Sequence, residues 1–176
     1  MLTPYAATLM TSQADGPAFT GTSAGTILPG AAIYTFPASF LQFIGQQFHI
    51  RASGRASTTT GTNTITFNLL LGGSVIAATT GAITLVASQT NQTWQLDVDF
   101  TVRAVGSGTA ANLMFVGTFQ ASVAILANGN VMIPPTAPAV GTGFDSHNAQ
   151  TVDLQAVWSA ASNSLTCHQY RLDALL

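Results

Sequence analysis

Residues 94–104 read Trp94-Gln95-Leu96-Asp97-Val98-Asp99-Phe100-Thr101-Val102-Arg103-Ala104. Trp94, Leu96, Val98, Phe100, Val102 and Ala104 fall on one set of alternate positions, and Gln95, Asp97, Asp99, Thr101 and Arg103 on the other. A period of two is the signature of a β-strand with one apolar and one polar face. A slip of one residue would bury two aspartates, so the register is strongly specified. One wet face and one dry face also predict an antiparallel sheet, because parallel strands are covered on both sides.

The same pattern recurs on either side. Phe48, Ile50, Ala52, Gly54 and Ala56 alternate with Gln47, His49, Arg51, Ser53 and Arg55. After a turn at Gly61, Ile65, Phe67, Leu69 and Leu71 share a face opposite Thr64, Thr66 and Asn68, which reads as the second arm of a hairpin. Short strands follow over 75–77 and 82–87, then one carrying Leu113, Phe115, Gly117, Phe119 and Ala121. Val152, Leu154, Ala156 and Trp158 mark the penultimate strand, and Leu165 to Leu172 the last. A further short strand is expected at 31–36. Pro37 to Gly45 offers one helical turn, opening on proline and closing on glycine. Pro134-Pro135-Thr136-Ala137-Pro138 cannot occupy a central strand and is expected as a surface crossover. The turns at 106–108 and 128–130 complete a spacing that predicts an all-β antiparallel sandwich or barrel with about 8–10 strands. Residues 1–28 are small and polar without a sustained period, and read as an extended N-terminal arm before a single domain over 29–176.

Composition narrows the function classes. Of 176 residues only 6% are charged, against about 25% in an average soluble domain, and the net charge is −2. Every cation is an arginine and every acid an aspartate. This leaves no basic footprint for nucleic acid and no polybasic patch for a membrane surface. A hydrophobic share of 47% and a mean hydropathy of +0.39 exclude disorder driven by charge. Leu69 to Ser88 approaches the hydropathy of a membrane span, but Gly72-Gly73 and Thr79-Thr80-Gly81 cut it into strand-sized pieces. The start of the chain lacks the charged and apolar regions of a secretory leader, which predicts no export by that route. A chain this poor in charge has little electrostatic protection against association, so part of its surface is expected to be covered by copies of itself or by a lattice.

The succession Ile33-Tyr34-Thr35-Phe36-Pro37-Ala38-Ser39-Phe40-Leu41, Gly45, and Ile50-Arg51-Ala52-Ser53-Gly54-Arg55-Ala56-Ser57, with Trp94, Arg103-Ala104-Val105-Gly106 and Thr166-Cys167-His168, resembles small virion structural proteins of tailed bacteriophages. The resemblance runs from about residue 26 to the end. It implies a jelly-roll domain, commonly a homotrimer, displayed on the particle as a capsid decoration, head-fibre or tail-associated protein and assembled in the host cytoplasm. The major capsid protein or another virion protein would be its partner. The alternative it allows is a tail module that holds host surface carbohydrate. The family carries no catalytic residues to transfer, and no cofactor is expected.

Candidate chemistry is sparse. Asp145-Ser146-His147 contains the residue types of a hydrolytic triad, yet sequence neighbours rarely converge and the Gly-x-Ser-x-Gly elbow is missing, so a polar loop is the expectation. His147 and His168 could meet a metal about a threefold axis, but neither has a second ligand at helical or hairpin spacing, and no metal is expected. Cys167 alternates with Leu165 and reads as a buried small hydrophobe. Trp94, Trp158, Phe67, Phe100, Phe115 and Phe119 belong to apolar faces, which leaves Tyr5, Tyr34 and Phe144 freer for a ligand. Asn91-Gln92-Thr93 fits a glycosylation acceptor, a chance match in a bacterial host. Arg51 and Arg55 share a polar strand face with His49, and Asp97 and Asp99 share another. If those strands are neighbours, cross-strand pairs follow. Tyr5, Arg51, Arg55, Asp97 and Asp99 are therefore the candidate interface residues.

Overall fold

The computed structural model describes residues 6–73 and 75–175. Its strands are β1 (Ala6–Thr11), β2 (Gly25–Thr26), β3 (Tyr34–Phe36), β4 (Gln47–Ser57), β5 (Asn63–Leu71), β6 (Val75–Thr79), β7 (Ile83–Leu85), β8 (Gln92–Ala104), β9 (Asn112–Ala121), β10 (Asn130–Ile133), β11 (Gln150–Trp158) and β12 (Ser164–Leu175). One sheet has the order β1-β12-β4-β8-β9-β10; the other is β2-β11-β5-β6, with β3 beside β11 and β7 beside β5.

The antiparallel pairs are nested. β1 pairs with β12, β2 and β3 with β11, β4 with β8, and β5 with β6 and β7. This is one long hairpin ribbon, with the first and last described strands, β1 and β12, at its open end. Rolling the ribbon adds the contacts of β12 with β4 and of β11 with β5, which close it into two facing sheets. Such a rolled ribbon is a jelly roll, and it satisfies most strand edges internally. β9 and β10 extend the first sheet as a meander beyond β8.

Alternation places the core. Phe48, Ile50, Leu96, Val98, Phe100, Phe67, Leu69, Leu154 and Trp158 are all buried between the sheets. Phe36, Phe48 and Phe100 form an aromatic run at one end, with centroids 4.9 Å apart in each contact. Trp94, Phe67 and Phe119 pack together toward the other. Gly54 is required by close approach: a Cβ there would lie 1.9 Å from the Thr166 carbonyl oxygen, where a bulge at Cys167 presses β12 onto β4.

The segment expected as an arm is woven into the domain instead. β1 covers the edge of β12, and the chain continues along it through hydrogen bonds from the Ser12 N–H to the Tyr170 carbonyl, the Gly16 N–H to the Cys167 carbonyl and the Phe19 N–H to the Leu165 carbonyl. Ile27 and Leu28 lie in the core. The domain therefore begins by residue 6 and not at 29. The weak period of β1 has a physical reason: an edge strand packs few side chains, here Leu9 and Met10, against the core. The helical turn expected over 37–45 is two separate turns, closed by the Phe40 N–H on the Pro37 carbonyl and the Gln46 N–H on the Phe43 carbonyl. Ser39, at φ 60°, breaks the helical path after one turn, and Phe40 stacks on Phe36 at 5.2 Å. The one helical element among the described residues is a 3-10 turn at Gly30–Ala32, which replaces the start of the strand expected at 31–36. Pro135 to Pro138 lie exposed outside the strands, in the crossover that the prolines predict.

Candidate functional site

The strands of the first sheet carry all the arginines and half of the aspartates, Asp97, Asp99 and Asp173. The arginines are Arg51 and Arg55 on β4, Arg103 on β8 and Arg171 on β12. β4 and β8 are neighbours, and their register sets His49 opposite Asp99 and Arg51 opposite Asp97. The His49 Nδ1 lies 2.9 Å from Asp99 Oδ1 and its Nε2 3.5 Å from Asp97 Oδ1. Arg51 Nε is 4.0 Å from Asp97 Oδ2, and its Nη2 donates to Gln95 Oε1 at 2.9 Å. Pairs this exposed contribute under about 1 kcal/mol each. They fix the orientation of the side chains more than they stabilise the fold.

Arg55 faces Thr93 on one side and Thr166 on the other, and no carboxylate is within ion-pair distance of it among the described residues. Of the five candidate interface residues, four thus share one face, and Tyr5 lies outside the described residues. Sequence reasoning missed the half of this face that β12 supplies. Asp173, nearly buried, accepts from the Thr8 hydroxyl and from Arg171 Nε, both at 2.7 Å. The alternation of Gln169, Arg171 and Asp173 with Tyr170, Leu172 and Ala174 carried that signal, and register with β4 sets Arg171 opposite Arg51 and Asp173 opposite His49.

The other candidates are engaged elsewhere. Ser146 is buried; its hydroxyl accepts from the Gly106 N–H at 2.9 Å and contacts the Gly106 carbonyl oxygen at 3.2 Å. Asp145 accepts from the backbone N–H groups of Gly108 and His147, which hold its carboxyl below the usual value. The three residues knot the loop between β10 and β11 to the turn after β8, as the polar-loop reading expects. His168 pairs with Asp15 at 2.8 Å, at the β12 bulge. Cys167 is buried, and burial pushes its thiol up to about 12. Phe144, expected among the freer aromatics, is in the core, and Tyr34 packs edge-on against Phe36 at 5.3 Å. The loop from β10 folds back on β9, pairing Ala111 with Phe144, and this inserts the ring.

No family model, curated protein or solved structure matches the chain. The surface itself supplies the remaining clues. Phe43 and Ile44 project from the loop before β4, 72% and 69% exposed. At the β7 and β10 edge, an open groove of about 610 Å³ is lined by Ile83, Leu85, Val86, Leu126, Val131 and Pro135. Val123, Met132 and Val140, also exposed, belong to the segments beside it.

Proposed function

We propose that this chain is a structural protein of a tailed-phage virion, a jelly-roll capsid decoration protein that assembles as a homotrimer and binds the head surface. The observation that carries the reading is the pair of unlike apolar features on a chain with 6% charged residues: a projecting Phe43-Ile44 knob and a separate groove at the β7 and β10 edge. A cyclic trimer needs contacts between two different patches of successive copies, whereas a twofold dimer needs one self-complementary patch. A knob and a distinct groove are therefore suited to a ring. The charged face of the first sheet would then orient the trimer on the major capsid protein, many copies adding small contact energies. Light scattering on the purified protein followed by sedimentation with undecorated capsids tests both halves. A trimer that sediments with the capsids is expected, and Phe43→Ser is expected to shift the mass toward monomer. A monomer indifferent to capsids refutes the reading and redirects the search to tail components that hold carbohydrate.

A further inference from the structure

The central strands β12, β4 and β8 present their outward side chains as a grid. Its first row is Gln169, Ser53 and Gln95; its second is Arg171, Arg51 and Asp97; its third is Asp173, His49 and Asp99. A depression of about 310 Å³ opens over the first two rows, lined by Arg51, Ser53, Gln95, Gln169, Tyr170 and Arg171.

Two features of this depression call for an anion. Arg51 and Arg171 stand directly opposite each other on adjacent strands, an arrangement of like charges that is unfavourable on an open sheet. Their neutralisation is also uneven. Arg171 holds Asp173 at 2.7 Å, but the carboxylate nearest Arg51, that of Asp97, is 4.0 Å away and is shared with His49. The first row is uncharged and rich in donors. Among the described residues, the Ser53 hydroxyl and the Gln95 and Gln169 amide nitrogens donate to no protein group, while Gln95 Oε1 is occupied by Arg51. Arg55, two residues beyond Ser53 on the same face of β4, flanks the row from the other side. The carboxylates lie beside or beyond the two guanidinium groups, and none stands on the amide row.

We infer that this depression is a binding site for an oxyanion, a carboxylate or phosphate group, gripped by Arg51 and Arg171 and completed by Ser53, Gln95 and Gln169. Guanidinium forks match the paired oxygens of such groups, and neutral amide and hydroxyl donors fix their orientation. The inference goes beyond the assembly reading, since the monomer contains the whole site.

The test is an NMR titration of the full chain with inorganic phosphate and, separately, with glucuronate, against sodium chloride at matched ionic strength and against neutral glucose. Saturable shifts confined to Ser53, Gln95, Gln169 and their neighbours are expected with an oxyanion and absent with chloride. Arg51→Gln and Gln169→Ala alter exposed side chains, and Arg51→Gln is expected to weaken binding about tenfold. Arg103→Gln, on the same sheet outside the depression, is expected to leave binding unchanged. Glucuronate tighter than phosphate, with glucose silent, identifies an acidic saccharide as the source; phosphate equal or tighter identifies a free oxyanion. Shifts that chloride reproduces, or affinity that survives Arg51→Gln, overturn the inference.

Discussion

Replacing Tyr170 by phenylalanine is expected to stabilise the protein. Tyr170 points inward from β12, opposite Ala52, and is 3% exposed. Among the described residues its hydroxyl finds no hydrogen-bond partner. Burial pushes the phenol above its ordinary value, and the negative charge of Asp153 adds to the shift. A buried hydroxyl without a partner costs about 1–3 kcal/mol relative to its hydrated state. Removing the oxygen leaves a void on the order of 10 Å³, which at roughly 24 cal/mol per Å³ costs only about 0.2 kcal/mol. The expected net gain is about 1 kcal/mol, equivalent to about 2–4 °C in Tm for a domain of this length. Urea denaturation and calorimetry at pH 7 measure it. A group whose folded pKa is raised contributes stability that is lost as pH rises past its unfolded value of 10.0, so the variant should also lose stability less steeply above that pH. A loss of about 1 kcal/mol in Tyr170→Phe would refute the reasoning, because it would mean that the hydroxyl is hydrogen-bonded in solution, to a buried water for instance.

Gly54→Ala would force β12 away from β4 at the bulge and is expected to cost about 2–3 kcal/mol by the same denaturation assay. Deleting residues 1–11 removes β1 with the packing of Leu9 and Met10. It should cost about 2–3 kcal/mol, and it exposes the β12 edge, so melting falls and light scattering detects aggregation. Cys167 gives a third expectation. Its thiol rises from 9.0 to about 12 because burial disfavours the thiolate, so folding stability is fully present below pH 9.0 and is lost as pH rises toward 12. The slope it adds is about 1.4 kcal/mol per pH unit at most. Cys167→Ala should flatten that part of the stability profile, measured by urea denaturation at successive pH values.

The sandwich and most of its strands were legible in the sequence because β8 alternates cleanly between a wet and a dry face, and β4, β5, β9 and β11 do so over part of their length. The same alternation put Arg51, Arg55, Asp97 and Asp99 on polar faces, and left open only whether their strands were neighbours. β1 and β10 were not legible. Both are edge strands, paired on one side, and edge strands bury too little to leave a strong period. The helical turn over 37–45 failed because proline and glycine mark the ends of turns as well as those of helices, while the left-handed Ser39 gives no sign in its residue type. Strand order was hidden for a different reason. Nested pairs join residues far apart in the chain, and nothing local in Ala6–Thr11 announces that it belongs beside the last strand.

That nesting makes the charged face a product of the closed roll. Thr8, from the first described strand, donates to Asp173, 165 residues away; Asp173 holds Arg171; and Arg171 faces Arg51 across the depression. β8 then supplies Asp97 and Gln95 to Arg51. The contacts run through four strands, β1, β12, β4 and β8, so no isolated hairpin of this chain holds both arginines and their partners. The consequence for the oxyanion site is specific. Loss of the Thr8 hydroxyl removes one of the two donors that position Asp173, and with it part of the restraint on the Arg171 guanidinium. Thr8→Val, which leaves the strand and its packing in place, should therefore weaken phosphate binding while changing Tm little. Deletion of β1 should weaken both. A Thr8→Val protein that binds phosphate as the parent does would show that Asp173 is held by Arg171 alone.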